Sequence, residues 1–108
     1  MIGWWVVIAA QTPEERDAAT DRKAAILAQW DDGVSGIRWL ERLAEEGKAT
    51  KLRGNGYPNR YTARAGDVLP LLEQVKPTRR HSNIEMHAER IADCLPEQVL
   101  TIDAWDQD

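Results

Sequence analysis

The chain has 108 residues, a formal net charge of −4, 43% apolar and 30% charged residues. That is the composition of one folded domain and excludes a disordered or fibrous chain. No apolar run approaches the roughly 18 residues of a membrane helix. Cys94 is the only cysteine, which excludes an intrachain disulfide and fits a reducing cytoplasm.

Charge is unevenly distributed. Residues 1–47 sum to −4, residues 48–80 to +6 and residues 81–108 to −6. So acidic a protein is not an obvious polyanion binder, yet its central segment alone has that character.

Trp4 to Ala9 is apolar on both faces and rich in β-formers, which predicts an interior strand. It is too short, and lacks the basic leader, for a signal peptide. Thr12-Pro13-Glu14-Glu15 reads as a helix start: Thr12 caps, Pro13 suits the first helical position and Glu15 completes a capping box. The predicted helix runs to Trp30 on a stripe of Ala18, Ala19, Ile26, Leu27 and Trp30, with Thr20 offering a second cap. Asp32-Gly33 ends it. Ser35 caps the next helix, which places Ile37, Leu40, Leu43 and Ala44 on one side and Trp39 at the margin. Gly47 terminates it.

Lys48 to Arg64 predicts a β-hairpin around Gly54-Asn55-Gly56-Tyr57-Pro58-Asn59, where glycine and asparagine tolerate positive φ and Pro58 fixes its own. Alternation puts Leu52 and Tyr61 against the core and Lys51, Arg53 and Arg60 on the opposite face. Asp67 caps a short helix carrying Val68, Leu69, Leu71, Leu72 and Val75, closed by Lys76-Pro77. Ser82 and Glu85 form another capping box, opening a helix marked by Ile84, Ala88, Ile91 and Leu95 that Pro96 stops. Gln98 to Trp105 is β-branched enough for a last strand pairing near the first, followed by a solvated Asp106-Gln107-Asp108 tail. The predicted order is β-α-α-β-β-α-α-β. This is an α+β domain whose small antiparallel or mixed sheet includes the hairpin and packs with about four helices.

The hairpin carries most of the chemical signal. Lys48, Lys51, Arg53, Arg60 and Arg64, with Arg79 and Arg80 downstream, are candidates for phosphate contact. Tyr57 between Asn55 and Asn59 is a candidate stacking platform. Arg53 and Arg60 face each other across the ladder, at a cost of roughly 0.2–1 kcal/mol. Either an external anion or the protein's own carboxylates would relieve it. On the acidic side, Glu89, Asp93, Asp103 and Asp106 are candidates for contact with a basic partner. Trp39 and Trp105 are candidate anchors if exposed, the alternative being that the tryptophans are packing residues.

Catalysis is not expected. His87 and Cys94 are separated by seven residues, about 10.5 Å along a helix, whereas a nucleophile and its base need about 3 Å. No metal-ligand spacing or phosphate loop occurs, and no cofactor is implied.

Leu40-Glu41-Arg42-Leu43-Ala44-Glu45-Glu46-Gly47 running into the hairpin resembles the helix-and-wing end of a winged-helix domain. The acids on that helix argue against its reading the major groove. The chain also resembles the small accessory proteins of phages and prophages, on Gly54-Asn55-Gly56-Tyr57-Pro58 with Arg60-Tyr61-Thr62-Ala63. That resemblance implies action by binding, as a regulator or as an inhibitor of host defence in the manner of anti-CRISPR proteins, and transfers no functional residue. Two functions are therefore expected in competition: a protein-binding inhibitor, and a nucleic-acid-binding regulator using the basic hairpin. A homodimer joining acid to base patches is a third arrangement; a membrane partner is not expected.

Overall fold

A computed structural model of the chain describes residues 3–21, 23–33, 35–75 and 84–107. In chain order the elements are β1 (Trp4–Ala9), α1 (Pro13–Ala18), β2 (Ile26–Asp32), α2 (Arg38–Glu45), β3 (Ala49–Gly54) and β4 (Asn59–Arg64). Then come α3 (Ala65–Val68), a 3-10 turn over Leu69–Leu71, α4 (Leu72–Val75), β5 (Ile84–Met86), α5 (Ala88–Ala92) and β6 (Val99–Asp106). Among the described residues the strands form one six-stranded sheet in the order β3-β4-β6-β1-β2-β5, every neighbouring pair antiparallel. The α+β class is as the sequence predicts, while the order of elements differs in two places.

The first difference is the stretch after Ala18. Thr12 caps α1 as expected, its hydroxyl accepting from Glu15 N at 3.2 Å while its own N–H donates to Glu15 Oε1 at 2.9 Å. The helix nevertheless ends after six residues, and Ile26–Asp32 is a strand. An apolar run such as Ala24 to Ala28 satisfies either period. What decides is β1, whose backbone needs partners on both sides: β2 supplies one ladder and β6 the other. The second difference is Ile84–Met86, which pairs with Ala28–Trp30 as an edge strand and leaves α5 to start at Ala88. The predicted boundaries at Lys76-Pro77 and Ser82 lie outside the described residues.

One sheet face holds the core. Val6, Ile8, Trp30, Tyr61, Ile102 and Ala104 are fully buried there against Ile37, Leu40 and Leu43 from α2 and its cap, and Val68 and Leu72 from α3 and α4. Alternation turns the intervening residues to the other face, where α1 lies. Two predicted caps are replaced: α2 starts from Ile37 and not Ser35, and α3 from Arg64 with Asp67 in its first turn. Gly47 ends α2 as predicted. With φ at 78°, it lets Lys48 N reach Leu43 O at 2.8 Å and its own N reach Ala44 O at 3.1 Å, a Schellman closure.

The hairpin forms where predicted, with a bulge. Lys51 pairs with Tyr61 but Arg53 pairs with Arg60, so Leu52 is the extra residue. Tyr61 is core, but the residue that shares its face is its ladder partner Lys51 and not Leu52, contrary to the predicted alternation. Leu52 falls on the opposite face and is 52% exposed. β4 is hydrogen-bonded along its length to β6, so the hairpin is the flank of the sheet and not a freestanding ribbon. Its outer strand β3 keeps one unpaired edge, with Lys51, Arg53 and the bulge in place to discourage self-pairing.

Candidate functional site

Arg53 and Arg60 face each other across the ladder, as the sequence predicts, but they have different fates. Arg53 is exposed. Arg60 is buried and lies under α1 with its fork on Asp103, Nε to Oδ1 at 2.8 Å and Nη2 to Oδ2 at 3.0 Å. Its Nη1 reaches both oxygens of Asp17 at 3.0 Å. Arg16, also buried, donates Nε to Asp103 Oδ2 at 2.8 Å. The hydrogen bond to Asp103 holds Arg60 above its ordinary pKa despite the opposing effect of burial, with Asp17 adding to the rise. Both oxygens of Asp103 are thus occupied by guanidinium donors at a site 1% exposed.

This cluster corrects two sequence assignments. Arg60 is not available to a phosphate and Asp103 is not available to a partner, because each is the other's internal counter-ion. Of the two explanations for the arginine pair, the protein's own carboxylates hold for Arg60. Arg16 and Asp17 were not singled out from the sequence. The available signal was Asp103 itself, an acid between Ile102 and Ala104 in an otherwise apolar strand, which requires a buried cation nearby.

The remaining cations are exposed but mostly engaged. Lys48 Nζ lies 3.8 Å from Glu46, and Arg64 Nε 3.6 Å from Asp67. Lys51 Nζ sits 5.9 Å from the centroid of the Tyr61 ring. Tyr57 is 64% exposed, on a loop held to β6 by Asp106 N donating to Gly56 O at 2.7 Å. Arg79 and Arg80 lie outside the described residues. Among the described residues the predicted basic surface is least engaged at Lys51 and Arg53 on the sheet edge, with Tyr57 at the adjoining tip.

The predicted partner-binding residues are not one patch. Glu89 and Asp93 are exposed on α5 and its C-cap, while Trp105 and Asp106 end β6. Trp105 is half-buried opposite Trp5 of β1. Trp39 is half-buried too, its ring 6.3 Å from that of Trp30 and its Nε1 donating to Gly36 O at 3.0 Å.

Around α5 the carboxylates are concentrated. Glu85, Glu89, Asp93 and Glu97 are all exposed and recur every fourth residue. The one arginine among them, Arg90, turns inward, its Nη1 donating to Lys23 O and Ile26 O at 2.9 Å each. Glu85 accepts from Gln29 Nε2 at 2.8 Å and lies 3.0 Å from His87 Nε2. These two bonds, Gln29 first, hold its carboxyl below the usual 4.5. Burial pushes the Cys94 thiol up, with Asp93 adding to the rise, and Sγ donates to Arg90 O at 3.4 Å. That thiol is a poor nucleophile at neutral pH. Among the described residues no group of three or more His, Cys, Asp or Glu stands close enough to hold a metal ion, and no helix is long and apolar enough to cross a membrane.

Comparison with protein-family models, with characterised proteins and with solved structures gives no match.

Proposed function

We propose that the protein is a non-catalytic accessory protein, of the phage-encoded kind that the sequence resembles. It acts by binding the basic surface of a nucleic-acid-handling or defence protein in the cytoplasm. One observation carries this reading. Around α5 four exposed carboxylates recur while the one local arginine is half-buried and held by two backbone carbonyls, so acids outnumber arginine there four to one. Burial elsewhere deepens the bias. Arg16, Arg60 and Asp103 sum to +1 inside the fold, which leaves −5 on the other side chains of a chain whose total is −4. Such a surface steers association with a cationic partner and competes for the groove that a polyanion would fill.

The test is a pull-down from bacterial lysate with and without nuclease, comparing the native chain with Glu89→Lys/Asp93→Lys. Capture that survives nuclease and is lost in the double variant supports the reading. Capture unchanged by the charge reversal overturns it.

A second reading, nucleic-acid binding by the hairpin, is favoured by Arg53, which is exposed and has no carboxylate partner among the described residues, beside Lys51 and Tyr57. With two phosphates neutralised, log affinity for duplex DNA would fall against log salt with a slope near −1.8. A slope near zero, or no binding at low salt, removes it.

A further inference from the structure

α2 and the α3–α4 segment do not meet flush. Between them opens a cleft of about 380 Å³, within the range of roughly 300–1,000 Å³ that takes small ligands. One wall is the indole of Trp39, whose orientation is already set by its stacking on Trp30 and its hydrogen bond to Gly36 O. Leu71 and Val75, both partly buried against the core, line the opposite side. A second cleft of about 290 Å³ shares Trp39, Arg42 and Val75 with the first and adds Arg38, one helical turn from Arg42.

The charges around the cleft are unequally answered. Glu46 has Lys48 at 3.8 Å and Asp67 has Arg64 at 3.6 Å, an ion pair that leaves the buried Asp67 Oδ2 without a hydrogen bond. Arg42 is exposed and forms no ion pair with a described carboxylate, and the same holds for Arg38, although Glu41 and Glu45 lie beside both and Asp32 lines the second cleft. The cleft therefore offers a flat aromatic wall fixed in advance, aliphatic groups facing it, and an unspent planar guanidinium at the mouth. An indole face takes another ring in offset stacking, and a guanidinium takes a carboxylate through two parallel N–H donors.

We propose that this cleft is a binding site for a small planar aromatic acid, its ring between Trp39 and the Leu71–Val75 side and its carboxylate on Arg42. The site is independent of the acidic surface around α5. A neutral aromatic would fill the same space without the charge-assisted contact, and an aliphatic acid would meet Arg42 without the stacked wall.

Isothermal titration of the full chain with 2-naphthoate, 2-naphthamide and decanoate tests this. The expected result is one naphthoate per chain, with naphthamide and decanoate each weaker by at least about tenfold, the size of one charge-assisted or stacking contact. Arg42→Gln should lower naphthoate affinity to that of naphthamide and leave naphthamide unchanged. Val75→Glu should abolish naphthoate binding, and Glu14→Gln, exposed on α1 across the sheet, should not affect it. Arg42 is exposed, so Arg42→Gln is expected to fold normally, checked by its thermal unfolding. No binding of naphthoate at millimolar concentration overturns the proposal. So does equal affinity for the acid and the amide, or an Arg42→Gln chain that binds naphthoate as the native one does.

Discussion

The two edges of the sheet each turn an arginine inward but give it different partners. At the β3–β4 edge the sequence places Arg53 and Arg60 side by side, and the fold sends one into the interior to Asp103 and Asp17 while leaving the other in solvent. At the β5–α5 edge a single Arg90 turns inward onto carbonyls and the surrounding acids stay outside. The first edge thus loses much of the charge that its sequence advertises, and the second keeps all of its own. Counting charges along a chain overstates a surface wherever a counter-ion waits on a strand distant in sequence.

The sharpest way to break this comparison is to remove the buried acid. Asp103→Ala leaves Arg16 without a counter-ion in a dry site and Arg60 with only the exposed Asp17, and an uncompensated buried charge costs about 3–5 kcal/mol. Urea denaturation should show a loss of that size. A loss below about 1 kcal/mol would mean that the cluster is wetter than its burial indicates.

Next in size is the contrast between the two facing arginines. Arg60→Gln should cost about 3 kcal/mol, since Asp103 keeps only Arg16, whereas Arg53→Gln should change stability by no more than about 0.5 kcal/mol. Equal effects in denaturant melts would erase the distinction between the buried and the exposed member.

At the acidic edge the effect is one of pH. Glu85 is held below 4.5 in the folded state, so its contribution to stability is present above the unfolded value and is lost as pH falls through the folded one. NMR titration of its side-chain carboxyl should give a midpoint below 4.5. Gln29→Ala, which removes the larger cause, should move that midpoint up. Glu85→Gln should flatten the corresponding part of the acid limb in stability against pH. An unmoved midpoint in Gln29→Ala would show that the hydrogen bond does not hold in solution.

The smallest expected effect concerns Cys94. Burial is the main reason that its thiol is raised and Asp93 the lesser one, so Asp93→Asn should speed alkylation by iodoacetamide at pH 8 only about twofold to threefold. A decrease in rate would contradict the sign of that interaction.

Local signals placed most elements well. The capping box at Thr12, the Gly47 terminator and the hairpin about Gly56 all follow from residues close in sequence. Failures came where a local pattern was ambiguous or was overridden. Ala24 to Ala28 suits a helix or a strand until β1 demands a partner, and Leu52 reads as core until the ladder pairs Lys51, and not Leu52, with the Tyr61 face. For the candidate site, Arg60 was legible as important but not as internal, and Arg16 was not legible at all. An arginine within a six-residue helix looks solvated until the helix is laid across a sheet.

What this sequence determined by itself is the class and the local punctuation: an α+β chain with a hairpin at its centre and opposite charges on its two later segments. Those follow from backbone preferences and periodicity, which act over a few residues. Tertiary structure alone decided which charges face water. Residues 16, 60 and 103 come from three separate elements: the β4–β6 ladder sets Arg60 opposite Asp103, and the packing of α1 adds Arg16, each arginine within 3 Å of that carboxylate, where removal from water makes pairing obligatory.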